Sequence, residues 1–320
     1  MTFEEERYAG TTLRIAMTML LFLLLTLVRG FVITLLPLWT GALSAVGAEI
    51  LEELLDDALY ALCFLLPAWS FARWPMGTPA VAIDLTPNMP RNSLSYVFFG
   101  MAVTGAMVFF NAQIVNIFHY KEFSNEVLWK NDVAANYQIF LTLVGMAVIP
   151  AFVEELLFRG VILANLLPYG KGTAILGSAV LFGLMHQNAE QWLYATAAGA
   201  VLGWIFVQTR SIWPCILMHF LNNFRSTFQT VLLSRVPSAT TEMALYLLYG
   251  VLLALGLLSG VRLFCAHTEH QGEPRGDEAC STLSPLRRVR LFFNLPMIIF
   301  VAWSVVNMLI LILAALGILR

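Results

Sequence analysis

The sequence predicts an all-α, polytopic membrane protein, with about eight to nine transmembrane helices around a polar intramembrane cavity. Three observations predict it. Of 320 residues, 59% are hydrophobic and only 12% are charged. Apolar runs recur almost from end to end, and each long one can cross roughly 30 Å of hydrocarbon as a helix of about 20 residues. Two adjacent glutamates and two histidines interrupt those runs, and such residues in a membrane face protein or water rather than lipid. A water-soluble globule of ordinary composition is excluded as a starting point. With a net charge of −2 and no basic stripe interleaved with aromatics, a nucleic-acid partner is excluded too.

The first run, about 12–36, is longer than the apolar region of a signal peptide and lacks a small-residue cleavage site, so it reads as a retained anchor. An acidic stretch with Glu49, Glu52, Glu53, Asp56 and Asp57 separates it from a short second run at about 57–73. The next connection carries Arg73, Arg91 and several prolines, and leads to a third run at 94–117. The fourth, 133–167, is too long for a perpendicular crossing and implies tilt. Runs at 173–187, 190–208, 212–234 and 242–264 follow, the first of them short. A polar linker, His267 to Ser284, precedes the basic Arg287-Arg288-Val289-Arg290 and a ninth run at 291–318. Basic residues near span ends place the N-terminus in the cytoplasm and the C-terminus outside, and the basic cluster reads as a topological stop signal. Three regions are expected: N-terminal helices over 1–132, a catalytic core over 133–234, and C-terminal helices over 235–320 with the linker at about 265–290. Localisation in the cell membrane of a prokaryote is expected.

Cys63, Cys215, Cys265 and Cys280 form no CxxC pair, which argues against a disulfide framework or a cysteine–zinc site. His119, His267 and His270 lie in expected loops and receive no role. Arg29 and Arg225 fall within spans; Arg225 is open to pairing with a carboxylate or a substrate terminus, or to snorkelling. Gly199 and Gly203 form a GxxxG that lets two helices approach closely.

The chemistry concentrates in three helical segments. In Val148-Ile-Pro-Ala-Phe-Val-Glu154-Glu155-Leu-Leu-Phe-Arg159, Glu155 and Arg159 stand at i,i+4 in the favourable order. Glu154 points about 100° away and is free to face a reaction site; the bland alternative is a helix end at the headgroups. Phe182 and His186 end a short helix, where a histidine alone is an ordinary polar cap. His219 and Asn223 lie one turn apart on another span. A carboxylate beside an imidazole can activate water, and a second histidine with an asparagine can stabilise an oxyanion. The same Glu154, His186 and His219 could instead hold a divalent metal such as zinc with water as the open ligand.

Glu154-Glu155-xxx-Arg159, Phe182-xxx-His186 and His219-xxx-Asn223, in that order over roughly 145–233, resemble the motifs of the CAAX protease and bacteriocin-processing (CPBP, or ABI) membrane protease family. The resemblance implies an intramembrane endopeptidase with a conical cavity. Glu154 and His186 would activate water, His219 and Asn223 would stabilise the oxyanion, Glu155 would support the catalytic carboxylate, and Arg159 would be structural. It also implies a peptide or lipidated protein as substrate, beside membrane lipids as partners, for CAAX-type processing or for bacteriocin maturation or immunity. The residues alone leave open a non-catalytic immunity or scaffold protein and a proton-coupled transporter. No HExxH or GxGD motif is present, and Gly177-Ser178 lacks the surroundings of a rhomboid-like serine site.

Overall fold

A computed structural model describes residues 1–74, 80–117, 136–236, 238–269, 281–315 and 318. Among them there are helices and no strands. The chain is an integral membrane protein: seven helical stretches are long and apolar enough to cross a bilayer. In chain order the helices are α1 (Phe3–Leu35), α2 (Ala45–Phe71), α3 (Ser93–Ile117), α4 (Tyr137–Tyr169), α5 (Lys171–Met185), α6 (Ala189–Thr209), α7 (Trp213–Arg235), α8 (Ala239–Glu269), α9 (Pro285–Phe292) and α10 (Leu295–Ala315).

All nine apolar runs are helical, but two fall short of a crossing by length or composition. Helix α5 has 15 residues, about 22 Å at 1.5 Å each. Helix α7 carries His219, Asn222, Asn223 and Arg225 within its span, which lowers its hydropathy. The expected linker lies largely outside the described residues, as do His119, His270, Cys280 and the side chain of His267.

The second run differs from expectation. Helix α2 begins at Ala45, capped by Ser44, whose hydroxyl accepts from the Gly47 amide at 3.2 Å. The acidic residues Glu49 to Asp57 therefore lie on the helix rather than in a connection. Their charge is compatible with helix because Glu is a good helix former and Ser at the N-cap satisfies an orphan amide. Arg29 of α1 meets Asp56 of α2 through two hydrogen bonds, 2.7 and 2.6 Å, the bidentate geometry that makes a guanidinium–carboxylate pair specific.

Helix α4 is not uniform. Ile149–Glu155 is α-helical, but Val144–Val148 and Leu156–Leu163 are wound as π-helix. Pro150 opens the α-helical segment; it has no amide hydrogen and its ring crowds the preceding turn, so that turn is widened. Widened turns within helices recur at functional sites.

The main core joins α1, α2, α4, α5 and α10 through Ile15, Phe22, Phe64, Leu157, Phe158, Ile162, Phe182 and Phe300. A second cluster, Val97, Met101, Leu202, Ile205, Cys215 and Met218, joins α3, α6 and α7. Cys63 and Cys215 are buried within these cores as small hydrophobes. Large apolar residues point outward on α8 (Leu247, Val251, Leu258, Val261, Phe264) and on α10 (Ile298, Ile299, Leu309), as lipid-facing surfaces do.

Gly199 and Gly203 bring α6 close to its neighbours. A Cβ on Gly199 would lie 3.1 Å from the Ala179 Cα of α5, and one on Gly203 would lie 3.0 Å from Leu163 of α4. The basic cluster of α9 has partners in the fold: Arg287 donates to Glu5 at 2.7 Å, and Arg288 donates to the Tyr169 carbonyl at 2.9 Å and the Thr173 hydroxyl at 2.8 Å. Among the described residues Arg225 pairs with no carboxylate; it donates to Asn222 at 3.3 Å and lies over the Tyr249 ring.

Candidate active site

Glu154 and Glu155 lie at the end of the α-helical segment of α4, where the backbone passes into the widened turn. Adjacent positions on a helix diverge by about 100°, so the two carboxylates enter different surroundings. Glu155 is fully buried, as is Arg159, whose Nη1 donates to Glu155 Oε1 at 2.9 Å. The second amino group of Arg159 donates to the Gly199 carbonyl of α6 at 3.0 Å, and the guanidinium lies over the Phe182 ring of α5, 4.6 Å from its centroid. One arginine thus ties α4 to α5 and α6. This is the helix-fixing pair that the i,i+4 spacing predicts.

The same Glu155 Oε1 also receives His219 Nδ1 at 2.8 Å. A carboxylate ion-paired to a guanidinium is an acceptor, so Nδ1 carries the hydrogen and Nε2 presents a lone pair in the neutral ring. That Nε2 stands 3.9 Å from Glu154 Oε2. Glu154 is only 3% exposed. Its Oε1 accepts from the Tyr60 hydroxyl of α2, while its Oε2 has no hydrogen-bond partner among the described residues. A buried carboxylate oxygen left open is costly and demands explanation.

His186 closes the C-terminal end of α5, and its Nδ1 lies 2.8 Å from the Phe182 carbonyl. A carbonyl only accepts, so Nδ1 is the protonated nitrogen and Nε2 is available. Phe182 stands edge-on to both imidazoles, with centroid separations of 5.3 Å to His186 and 5.8 Å to His219. Asn223 stands one turn beyond His219 on α7, half-buried, with no side-chain hydrogen bond among the described residues.

Glu154, His186, His219 and Asn223 line one cavity of about 300 Å³. The structure therefore brings these four to one chamber, with Glu155 and Arg159 immediately behind its wall. Among the described residues, no three His, Cys, Asp or Glu side chains are placed to hold a metal ion. Glu154 is held by Tyr60, and His219 by Glu155. Those contacts use Glu154 Oε1 and His219 Nδ1, so Glu154 Oε2 and the Nε2 atoms of His186 and His219 are the donors this set would offer a metal ion.

Sequence reasoning missed several lining residues. Tyr60 holds Glu154, and Glu53, Asp56 and Asp57 of α2 line the same cavity with Arg29. Asn222 donates to the Tyr194 hydroxyl at 2.6 Å on another wall. A signal was present: Glu49, Glu53, Asp57 and Tyr60 stand at i, i+4, i+8 and i+11, which is one face of a helix.

Residues 136–225 match the family model described as Type II CAAX prenyl endopeptidase Rce1-like. All seven residues of the three motifs lie in that stretch, and the family resemblance they carry is borne out there. The putative membrane peptidase YdiL of Bacillus subtilis (strain 168) is 30% identical over 86 residues, which cover 26% of this chain and 34% of that protein. The chain thus matches about a third of the relative's length. No solved structure matches this chain.

Proposed function

We propose that the protein is an intramembrane endopeptidase that hydrolyses a peptide bond in a membrane-associated or lipidated substrate. The observation that carries the reading is Glu154 Oε2: buried, without a hydrogen-bond partner among the described residues, 3.9 Å from His219 Nε2, and part of a side chain that lines a cavity. Two acceptors at that separation can both be reached by one water at about 2.8 Å from each. Such a water is oriented by its two hydrogens, with a lone pair left to attack a carbonyl.

In this mechanism Glu154 takes the proton of the attacking water. The Tyr60 hydroxyl fixes the carboxylate so that Oε2 is the basic atom. Proton transfer to a positioned group supplies about 10²–10⁴ in rate. His219, held by Glu155, accepts through Nε2 the proton that Glu154 has taken from the water, donates it in a hydrogen bond to the oxyanion and releases it to the departing amine as the C–N bond breaks, its transient positive charge compensated by Glu155. The neutral ring cannot donate through Nε2, so its part in oxyanion binding begins only after protonation. Asn223 can donate through its side-chain amide throughout, which assigns it to the oxyanion. His186, with Nε2 open to the cavity, is assigned to orienting the water or the second proton transfer. No step is routed through a metal.

The name of the matched family makes a farnesylated CAAX peptide, with its unprenylated control, the first substrate to try. Purified wild-type protein is expected to cleave the peptide with chelator present, and Glu154→Gln is expected to lose at least about 100-fold in kcat while remaining folded. Full cleavage by Glu154→Gln would overturn the assignment. Zinc bound stoichiometrically and lost together with activity would replace the Glu154-activated water with a metal-bound one.

A further inference from the structure

The cavity carries more negative charge than the proposed chemistry uses. Four carboxylates line it, those of Glu53, Asp56, Asp57 and Glu154, against one guanidinium, that of Arg29. Arg29 is committed to Asp56 by its two hydrogen bonds. Glu53 and Asp57, both half-buried, have no hydrogen-bond or ion-pair partner among the described residues. Asp57 lies directly against Gly145 of α4, where an added Cβ would meet its Oδ1 at 2.5 Å; the absence of a side chain at that position leaves room for the carboxylate. Glu154, a residue 3% exposed whose Oε2 has no hydrogen-bond partner among the described residues, lines the same space.

Uncompensated carboxylates inside a membrane domain are costly, and they are retained where a cation meets them. A substrate that brings a positive charge removes that cost, whereas a neutral or acidic one leaves it in place, so the excess acids discriminate between substrates. We propose that the cavity selects a substrate with a Lys or Arg side chain close to the scissile bond, and that Glu53 and Asp57 are the specificity-determining residues that receive it. The inference rests on the peptidase reading of the cavity and adds a substrate class to it. It places a cation a short way along α2 from the Tyr60–Glu154 contact, near enough for its binding to orient the peptide over the water.

The test uses three N-acetylated, C-amidated apolar peptides that are identical but for a central Lys, norleucine or Glu. Their affinities are measured for the purified full chain carrying Glu154→Gln, in detergent micelles. The Lys peptide is expected to bind roughly tenfold tighter than the norleucine peptide, the size of one net-favourable charge pair, with the Glu peptide weakest. Adding Glu53→Gln and Asp57→Asn is expected to bring the Lys-to-norleucine ratio below about twofold, at a thermal unfolding midpoint that is not lowered, because two uncompensated carboxylates are removed. Glu53→Lys, a second variant, is expected to reverse the order of the Lys and Glu peptides. Equal affinity for the Lys and norleucine peptides, including none for either, overturns the proposal. So does a Lys preference that survives both substitutions. Cleavage of the same peptides by the wild-type chain is read separately. Charge-selective binding with no cleavage of any peptide overturns the peptidase reading and leaves the cation preference standing.

Discussion

At Glu155 one carboxylate oxygen serves two donors, the Arg159 guanidinium and the His219 ring. Removing Arg159 leaves a fully buried carboxylate without its cation, and breaking a buried pair from one side costs about 3–5 kcal/mol. Arg159→Ala is therefore expected to lower unfolding stability in micelles by that amount and to lose activity with it. Tyr60 acts differently, because it touches only one oxygen of Glu154. A hydrogen bond to a charged group is worth about 1.5–3 kcal/mol. Tyr60→Phe is expected to lower kcat by roughly tenfold to a hundredfold with KM little changed, measured by steady-state cleavage. The glutamates and histidines were legible in the sequence because each interrupts an apolar run, where ionisable groups are rare. Tyr60 was not, since a tyrosine in an apolar helix is unremarkable in composition and its partner lies 94 positions away. The hold of Glu155 on His219 was hidden for a related reason: it arises only when α7 packs against α4.

At the scale of single helices, hydropathy located every one of the nine runs, because a crossing helix must satisfy its own backbone and cover itself with apolar side chains. It misplaced the start of α2 by about a dozen residues, as charge in Glu49 to Asp57 resembles a loop by composition while its four-residue spacing is helical. The widened turns of α4 were also not legible beforehand, since Pro150 signals a disturbance without specifying its form. The contact between α5 and α6 was marked by Gly199 and Gly203. Gly199→Leu places even its first carbon 3.1 Å from the Ala179 Cα. Overpacking of this kind costs about 1–3 kcal/mol, and because the Gly199 carbonyl receives Arg159, separation of the helices disturbs the site as well. The expected outcome is a lower thermal midpoint together with reduced cleavage, whereas Gly250→Ala on α8, where an added Cβ meets nothing within 4 Å, is expected to change neither.

For the molecule as a whole, we propose from the charge asymmetry of the connections that the N-terminus lies inside and the C-terminus outside. Reporter fusions at the two ends are expected to signal opposite sides of the membrane, and the same side for both would overturn that topology. The outward apolar faces of α8 and α10 suit lipid surroundings, while Glu154, His186 and His219 line an internal cavity. The stretch that matches the peptidase family, 136–225, supplies the motif residues of that chamber but not all of its walls. Tyr60, which steadies Glu154, and the unpaired acids Glu53 and Asp57 come from α2, outside the matched stretch. That division has a consequence for inheritance and engineering. The motif-bearing stretch is not a transplantable cassette, and a chimaera that receives it must also inherit a partner for the Glu154 carboxylate. Helix α2 would have to travel with it, since Tyr60 is the residue that holds that carboxylate.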